Sequence, residues 1–214
     1  MIINAECYGS MRSDEFINEM RASGLGVFTS VDAVKVLGSS KAYANLFLHR
    51  LASRNKIRHI GRRLYAVEGV GRLEIANSLA PNGYVSGLAA LFYYGFINQD
   101  PLIIDIVNTK KSLSRSIAYG RSKINVRIIK ISKKGFFGYK KEMGNIGYFL
   151  IAEPEKALLD ALYIYKDKLA SYCKDALEGG KSGISKEKLI EYAERTGSSA
   201  LLKMLGKIGV GSNA

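Results

Sequence analysis

Between Ala33 and Val67 the chain carries eight Lys or Arg residues and not one Asp or Glu. Over all 214 residues the acids are outnumbered 32 to 19, a net charge of +13 that points to polyanionic partners. Cysteine is almost absent. Cys7 and Cys173 stand far apart, which suits neither a disulfide framework nor the paired ligand spacing of a zinc site, so both read as free thiols. The two histidines, His49 and His59, are too few for a metal centre. Long apolar runs are also missing: Leu88 to Ile97 is too short to span a bilayer. Met1 to Tyr8 lacks the basic start and long apolar core of a signal peptide. A cytoplasmic protein without cofactor, metal or membrane partner is expected.

What is there is patterned. Ser13 or Asp14 can cap a helix to about Ala22, with Phe16, Ile17 and Met20 on one face and Gly24 and Gly26 ending it. Thr29 or Ser30 then caps a helix over Val31 to Leu37, with Val31, Val34 and Leu37 pointing inward and Gly38 supplying the turn. A third helix follows Ser39 and Ser40. Its apolar stripe is Ala44, Phe47, Leu48 and Leu51, so Ala42, Asn45, Leu46 and His49 occupy the opposite face, flanked by Lys41, Tyr43 and Arg50. After Arg54 and Lys56 the period changes. Ile57 to Ile60, which includes Arg58, reads as a strand, Gly61-Arg62-Arg63 as a tight turn, and Leu64 to Val67 as the returning strand.

That order is a winged helix in outline, with a helix for the major groove and a wing for backbone or minor groove. Lys41, Asn45, His49 and Arg50, with Ser40 and Tyr43 beside them, form the recognition set. Asn45 can read adenine; Arg50 can read guanine or hold a phosphate, and both readings stand. Arg62 and Arg63 suit phosphates, with Arg54, Lys56 and Arg58 as supporting backbone contacts. The same module could instead serve as a protein-docking platform.

The second half reads as mixed. Arg72 to Leu79 is a helix, and Ser86 can cap another through Tyr94. Leu102 to Val107, Asn125 to Ile131 and Gly147 to Ile151 are strand candidates, with Val126 and Ile128 alternating against Arg127 and Ile129. Lys110 to Lys123 reads as a basic connector carrying Lys110, Lys111, Arg115, Arg121 and Lys123; Lys133 and Lys134 precede the aromatic group Phe136, Phe137 and Tyr139. Cations interleaved with aromatics can bind nucleic acid, or simply solvate a loop whose rings cover the sheet.

Enzyme motifs do not hold up. Glu153-Pro154-Glu155 fits a helix start better than a catalytic pair, with Leu158, Leu159, Leu162 and Tyr163 as the apolar face behind it, and Asp160 has no partner acid cluster. Gly180-Lys181-Ser182 lacks the first glycine of a phosphate loop, since position 175 is Asp. Gly9-Ser10 with Asp14-Glu15 lacks the paired strand carboxylates of a nucleotidyltransferase. Helices over Lys168 to Leu177, Lys186 to Arg195 and from Ser198 to Lys207 complete the chain. The expected fold class is α+β: an N-terminal winged helix-turn-helix at residues 10–68, then a mixed α/β domain at 70–214 with a small sheet and C-terminal helices at about 166–208.

Three stretches in the first domain, Phe28-Thr29-Ser30-Val31-Asp32-Ala33, the helix end His49-Arg50-Leu51, and Arg62-Arg63-Leu64-Tyr65-Ala66-Val67, resemble the winged helix of the AbiEi-type antitoxins. Three more, Gly83-Tyr84-Val85-Ser86-Gly87-Leu88-Ala89-Ala90-Leu91, Phe137-Gly138-Tyr139, and Ile151-Ala152-Glu153-Pro154-Glu155-Lys156-Ala157-Leu158-Leu159-Asp160, are similar in order and spacing to that family's second domain. The resemblance spans about residues 10–165. It implies a non-enzymatic autorepressor of an abortive-infection toxin–antitoxin system. Its partners would be double-stranded operator DNA with inverted repeats and a cognate nucleotidyltransferase-like toxin.

Overall fold

The computed structural model describes residues 11–120, 122–166, 177 and 183–210. The chain is α+β, with two sheets and eight α-helices among the described residues. No described helix is long and apolar enough to cross a membrane. The chain divides into two compact units, one running to Ile75 and including Met143–Tyr148, the other made of Ala76–Glu142 and the residues from Phe149 onward.

The first unit runs α1 (Ser13–Ala22), β1 (Val27–Thr29), α2 (Ser30–Leu37), α3 (Lys41–Ser53), β2 (Ile57–Gly61) and β3 (Leu64–Val67). Its sheet is antiparallel in the order β1-β3-β2, with Thr29 opposite Leu64 and His59 opposite Tyr65. Phe16 of α1 meets Phe28 and Phe47 edge to face, at 5.8 and 5.3 Å between centroids, and Met20, Ala44, Leu48 and Leu51 close the core around them. Thr29 caps α2: its Oγ1 accepts from the Asp32 amide, and the Asp32 carboxylate accepts from the Thr29 amide at 2.8 Å.

Two local expectations change, and one strand is new. Arg12, not Ser13 or Asp14, is the N-cap of α1, and Glu15 reaches back to its amide. Val31 is 58% exposed, because Ser30 and Ala33 take the inward positions of α2. Strand β1 has only three residues, too few for alternation to show in the sequence. The unit also contains a carboxylate cage. The buried Glu74 side chain accepts from the amides of Gly71 and Asn145 at 2.8 Å each, Gly147 at 2.7 Å and Ile146 at 3.3 Å. A Cβ on Gly144 would lie 2.2 Å from the Glu74 carboxyl carbon, so that turn has no room for a side chain.

Helix α4 (Arg72–Ser78) leads to β4 (Tyr84–Ser86), α5 (Gly87–Tyr93), β5 (Ile103–Asn108), β6 (Leu113–Tyr119), β7 (Ser122–Lys130), β8 (Tyr139–Met143), β9 (Tyr148–Ala152), α6 (Pro154–Tyr165), α7 (Lys186–Thr196) and α8 (Ser199–Lys207). The six strands lie in the order β6-β7-β5-β4-β9-β8. β5 runs parallel to β7 and β4 parallel to β9, whereas the β6–β7 and β4–β5 pairs are antiparallel. Ile124, Val126 and Ile128 form the inward face of β7. Pro154 opens α6 behind Glu153, and Ser185 and Ser198 cap α7 and α8.

Lys110 to Lys123 is not a connector, because β6 occupies its middle. Apart from Ile117, the residues of this edge strand are not buried, which erased the alternation that marks a strand. Ser86 does not cap α5 with its side chain; its hydroxyl donates to Asp160 instead. Tyr163 is half exposed, while α6 buries every residue from Glu155 to Leu162. The expected helix over Lys168 to Leu177 lies, except for Leu177, outside the described residues, as do Gly180-Lys181-Ser182, Gly9-Ser10, Cys7 and Cys173.

Candidate nucleic-acid interface

Ser40 is the N-cap of α3, its Oγ accepting from the Tyr43 amide at 3.2 Å. No acid stands in the first turn and Lys41 takes the first helical position, so the positive end of the helix dipole is left uncompensated. Burial of Ala44, Leu48 and Leu51 sets the rotation of the helix. At roughly 100° per residue, the direction opposite those three passes between Leu46 and Ser53. Ala42, His49 and Arg50 flank that direction and Tyr43 lies a little further round, while Asn45 sits nearer one side; all are exposed. The outward face is therefore centred on Leu46, which the sequence pattern placed beside Asn45 rather than at the middle.

At the far end of α3, Arg54 is the C-cap and is exposed. Lys56 pairs with Asp14 at 3.2 Å, so one of the eight cations meets an acid 42 residues away in sequence. In β2 the register shifts between His59 and Gly61, which lets Arg58 and His59 both face outward while Ile57 and Ile60 stay buried. The His59 ring rests 5.1 Å from that of Tyr65, which stacks on Phe28.

Arg62 and Arg63 form the exposed β2–β3 turn. Arg63 has φ +58°, a left-handed backbone that glycine would adopt with less strain. Its carbonyl accepts from the Ser30 amide at 3.3 Å, fastening the arginine turn to the start of α2.

In the second unit the basic residues separate into two groups. No acid occurs from Ile106 to Lys141, which holds eleven Lys or Arg. β5 and β7 are parallel, so the loops leaving them emerge at one end of the sheet, carrying Lys110 and Lys111 from one and Lys133 and Lys134 from the other. Asn108 fixes the first loop, its Oδ1 accepting from the Lys110 and Lys111 amides at 2.6 and 2.9 Å. Ser132 fixes the second, its Oγ accepting from the Gly135 amide. Lys130, the last residue of β7 and opposite Asn108, stands at the same end. Arg115 lies along β6 opposite Val126, and Lys123 is the second residue of β7, at the other end, opposite Ala118. Arg121 lies outside the described residues.

Buried charge in this unit is consumed internally. Asp160 accepts from the hydroxyls of Ser86 at 2.7 Å and Tyr84 at 3.2 Å and pairs with Lys156, which is 2% exposed. Burial, and then the charge of Asp160, hold the Tyr84 hydroxyl far above the ordinary tyrosine range. Asp105, fully buried, takes two hydrogen bonds from Arg127, at 2.7 and 3.1 Å, and one from Tyr165 at 2.6 Å. Glu153 accepts from Tyr192 at 2.6 Å and meets Lys188 at 3.0 Å, while Glu155 meets the same lysine at 3.1 Å. The tyrosine hydrogen bond, and then Lys188, hold Glu153 below the usual carboxylate range; burial and that bond push Tyr192 up to about 12. Among the described residues no group of His, Cys, Asp or Glu has the arrangement to hold a metal ion. Compared with protein-family models and with curated proteins, the chain matches none.

Proposed function

We propose that this chain is a sequence-specific DNA-binding repressor whose first unit acts as a winged helix. α2 and α3 form the helix-turn-helix, α3 enters the major groove, and the Arg62–Arg63 turn is the wing on backbone or minor groove. One observation carries the reading: all eight cations from Lys35 to Arg63 are exposed, with no acid among them in sequence and Lys56 the one shown ion-paired within the described residues. A folded surface with that charge matches a phosphate backbone. The motif resemblance to AbiEi-type antitoxins supports a further role, in which the second unit counteracts a nucleotidyltransferase-like toxin. An adjacent gene encoding such a protein would strengthen it.

A mobility-shift assay on the DNA upstream of its own gene tests the surface. The triple variant Asn45→Ala, Arg62→Ala, Arg63→Ala should lose at least about tenfold in affinity, from the loss of base and phosphate contacts. Unchanged binding rejects the interface. A second reading is a docking platform for another protein, favoured by the exposure of Val31, Tyr43 and Leu46 at 58%, 41% and 48%. Salt separates the two, since phosphate contacts make affinity fall steeply with ionic strength.

A further inference from the structure

We infer that Leu46, with Ala42 one turn before it, reads the 5-methyl groups of thymine in the bound duplex. The inference rests on α3 lying in the major groove and adds what its centre recognises. A single exposed leucine is ordinary on a protein surface. Leu46 differs in its position: it lies next to the outermost direction of α3, 48% exposed, directly opposite the buried Ala44, Leu48 and Leu51. Ala42, also exposed, lies four residues earlier on the same face, so the two form a short apolar strip along the helix axis.

The rim of that strip is polar, cationic or aromatic. Asn45 and His49 lie on one side of it and Arg50, Tyr43 and Arg54 on the other, all exposed, and α3 contains no acid. An apolar centre inside a carboxylate-free basic rim is a poor match for another protein's basic or neutral surface. It complements a duplex, where phosphates line the edges of the groove and the base edges between them carry one apolar group, the thymine methyl. Ala42 is small enough to let the helix approach the bases closely, and Leu46 supplies the methyl-bearing reach. Direct hydrogen-bond readout by Asn45 or Arg50 then works beside the strip, not through it.

The test uses the full chain and a random-sequence duplex pool. Retained DNA is sequenced, and each thymine of the enriched site is replaced in turn by deoxyuridine, which removes only the methyl. Wild type should lose about three- to fivefold in affinity at one or two positions, the effect of leaving one apolar carbon without its partner. Leu46→Ala should bind both duplexes alike at those positions, and Leu46→Met should keep the discrimination. An enriched site indifferent to deoxyuridine, discrimination that survives in Leu46→Ala, or retention of DNA with no enriched sequence overturns the methyl reading and leaves DNA binding in place. Failure to retain any duplex at low salt overturns both.

Discussion

The two units use the same side chains in opposite ways. In the second, the cations that matter to the fold face carboxylates: Arg127 grips Asp105, Lys156 pairs with Asp160 in the interior, and Lys188 sits between Glu153 and Glu155. In the first, the cations of α3 and of the β2–β3 turn stand in solvent, and among the described residues a distant acid meets Lys56 alone of the eight. A cation with an internal partner is part of the architecture, and its removal costs stability. One left exposed adds little to folding and remains free to meet an external anion. Substitutions in the two units should therefore separate cleanly into those that unfold and those that unbind.

The largest effect is expected at Asp160. Asp160→Ala leaves the Lys156 ammonium buried without its partner and deprives Tyr84 and Ser86 of their acceptor. Removing one partner of a buried pair costs about 3–5 kcal/mol, to be read from chemical denaturation. A loss below about 1 kcal/mol would mean that water reaches Lys156 and solvates its charge as it does the exposed cations of the first unit.

A smaller effect depends on pH. Glu153 titrates below its ordinary value because Tyr192 and Lys188 stabilise its ionised form, so its contribution to stability is present above the unfolded carboxylate range and fades as pH falls through the lowered folded value. The stability gap between wild type and Glu153→Gln should be constant from neutrality to about pH 5 and close in more acid solution. Tyr192→Phe, by removing the hydrogen bond that is the largest single influence lowering the Glu153 carboxyl, should move that closure to higher pH. A gap that does not change with pH would show that the contact contributes nothing through ionisation.

The smallest effect tests whether the first unit tolerates strain for the sake of its charge. Arg63 holds a left-handed backbone that costs an L residue roughly 1–2 kcal/mol, part of which glycine recovers. Arg63→Gly should raise stability by up to about 1 kcal/mol while weakening duplex binding. A variant that is less stable, or that binds as well as wild type, would break the link between the strained turn and DNA.

Sequence legibility followed the length and amphipathicity of each element. α1 and α3 carry full apolar stripes, and Thr29, Pro154, Ser185 and Ser198 announce helix starts through side chains or ring geometry that have few other uses. β1 and β4 are three residues each and show no period at all. β6 hid because an edge strand built from serine, arginine and alanine keeps only Ile117 buried. Val31 misled because an apolar residue at helical spacing is normally turned inward, and only packing shows Ser30 and Ala33 in its place. At the candidate interface the exposed face of α3 and the arginine turn were readable from composition. The Lys56–Asp14 pair was not, being formed across the fold, and neither was the centring of the face on Leu46, which needs the actual rotation of the helix.

The central claim is that exposed, unpartnered charge in the first unit holds duplex phosphates. Its most direct measurement is the salt dependence of duplex affinity, taken between about 50 and 200 mM, for wild type and for Arg62→Ala with Arg63→Ala. Wild-type affinity should fall steeply, and the double variant should show a log–log slope shallower by about two units, one for each lost phosphate contact, with its stability unchanged. A flat wild-type response, or a double variant with the wild-type slope, would contradict it.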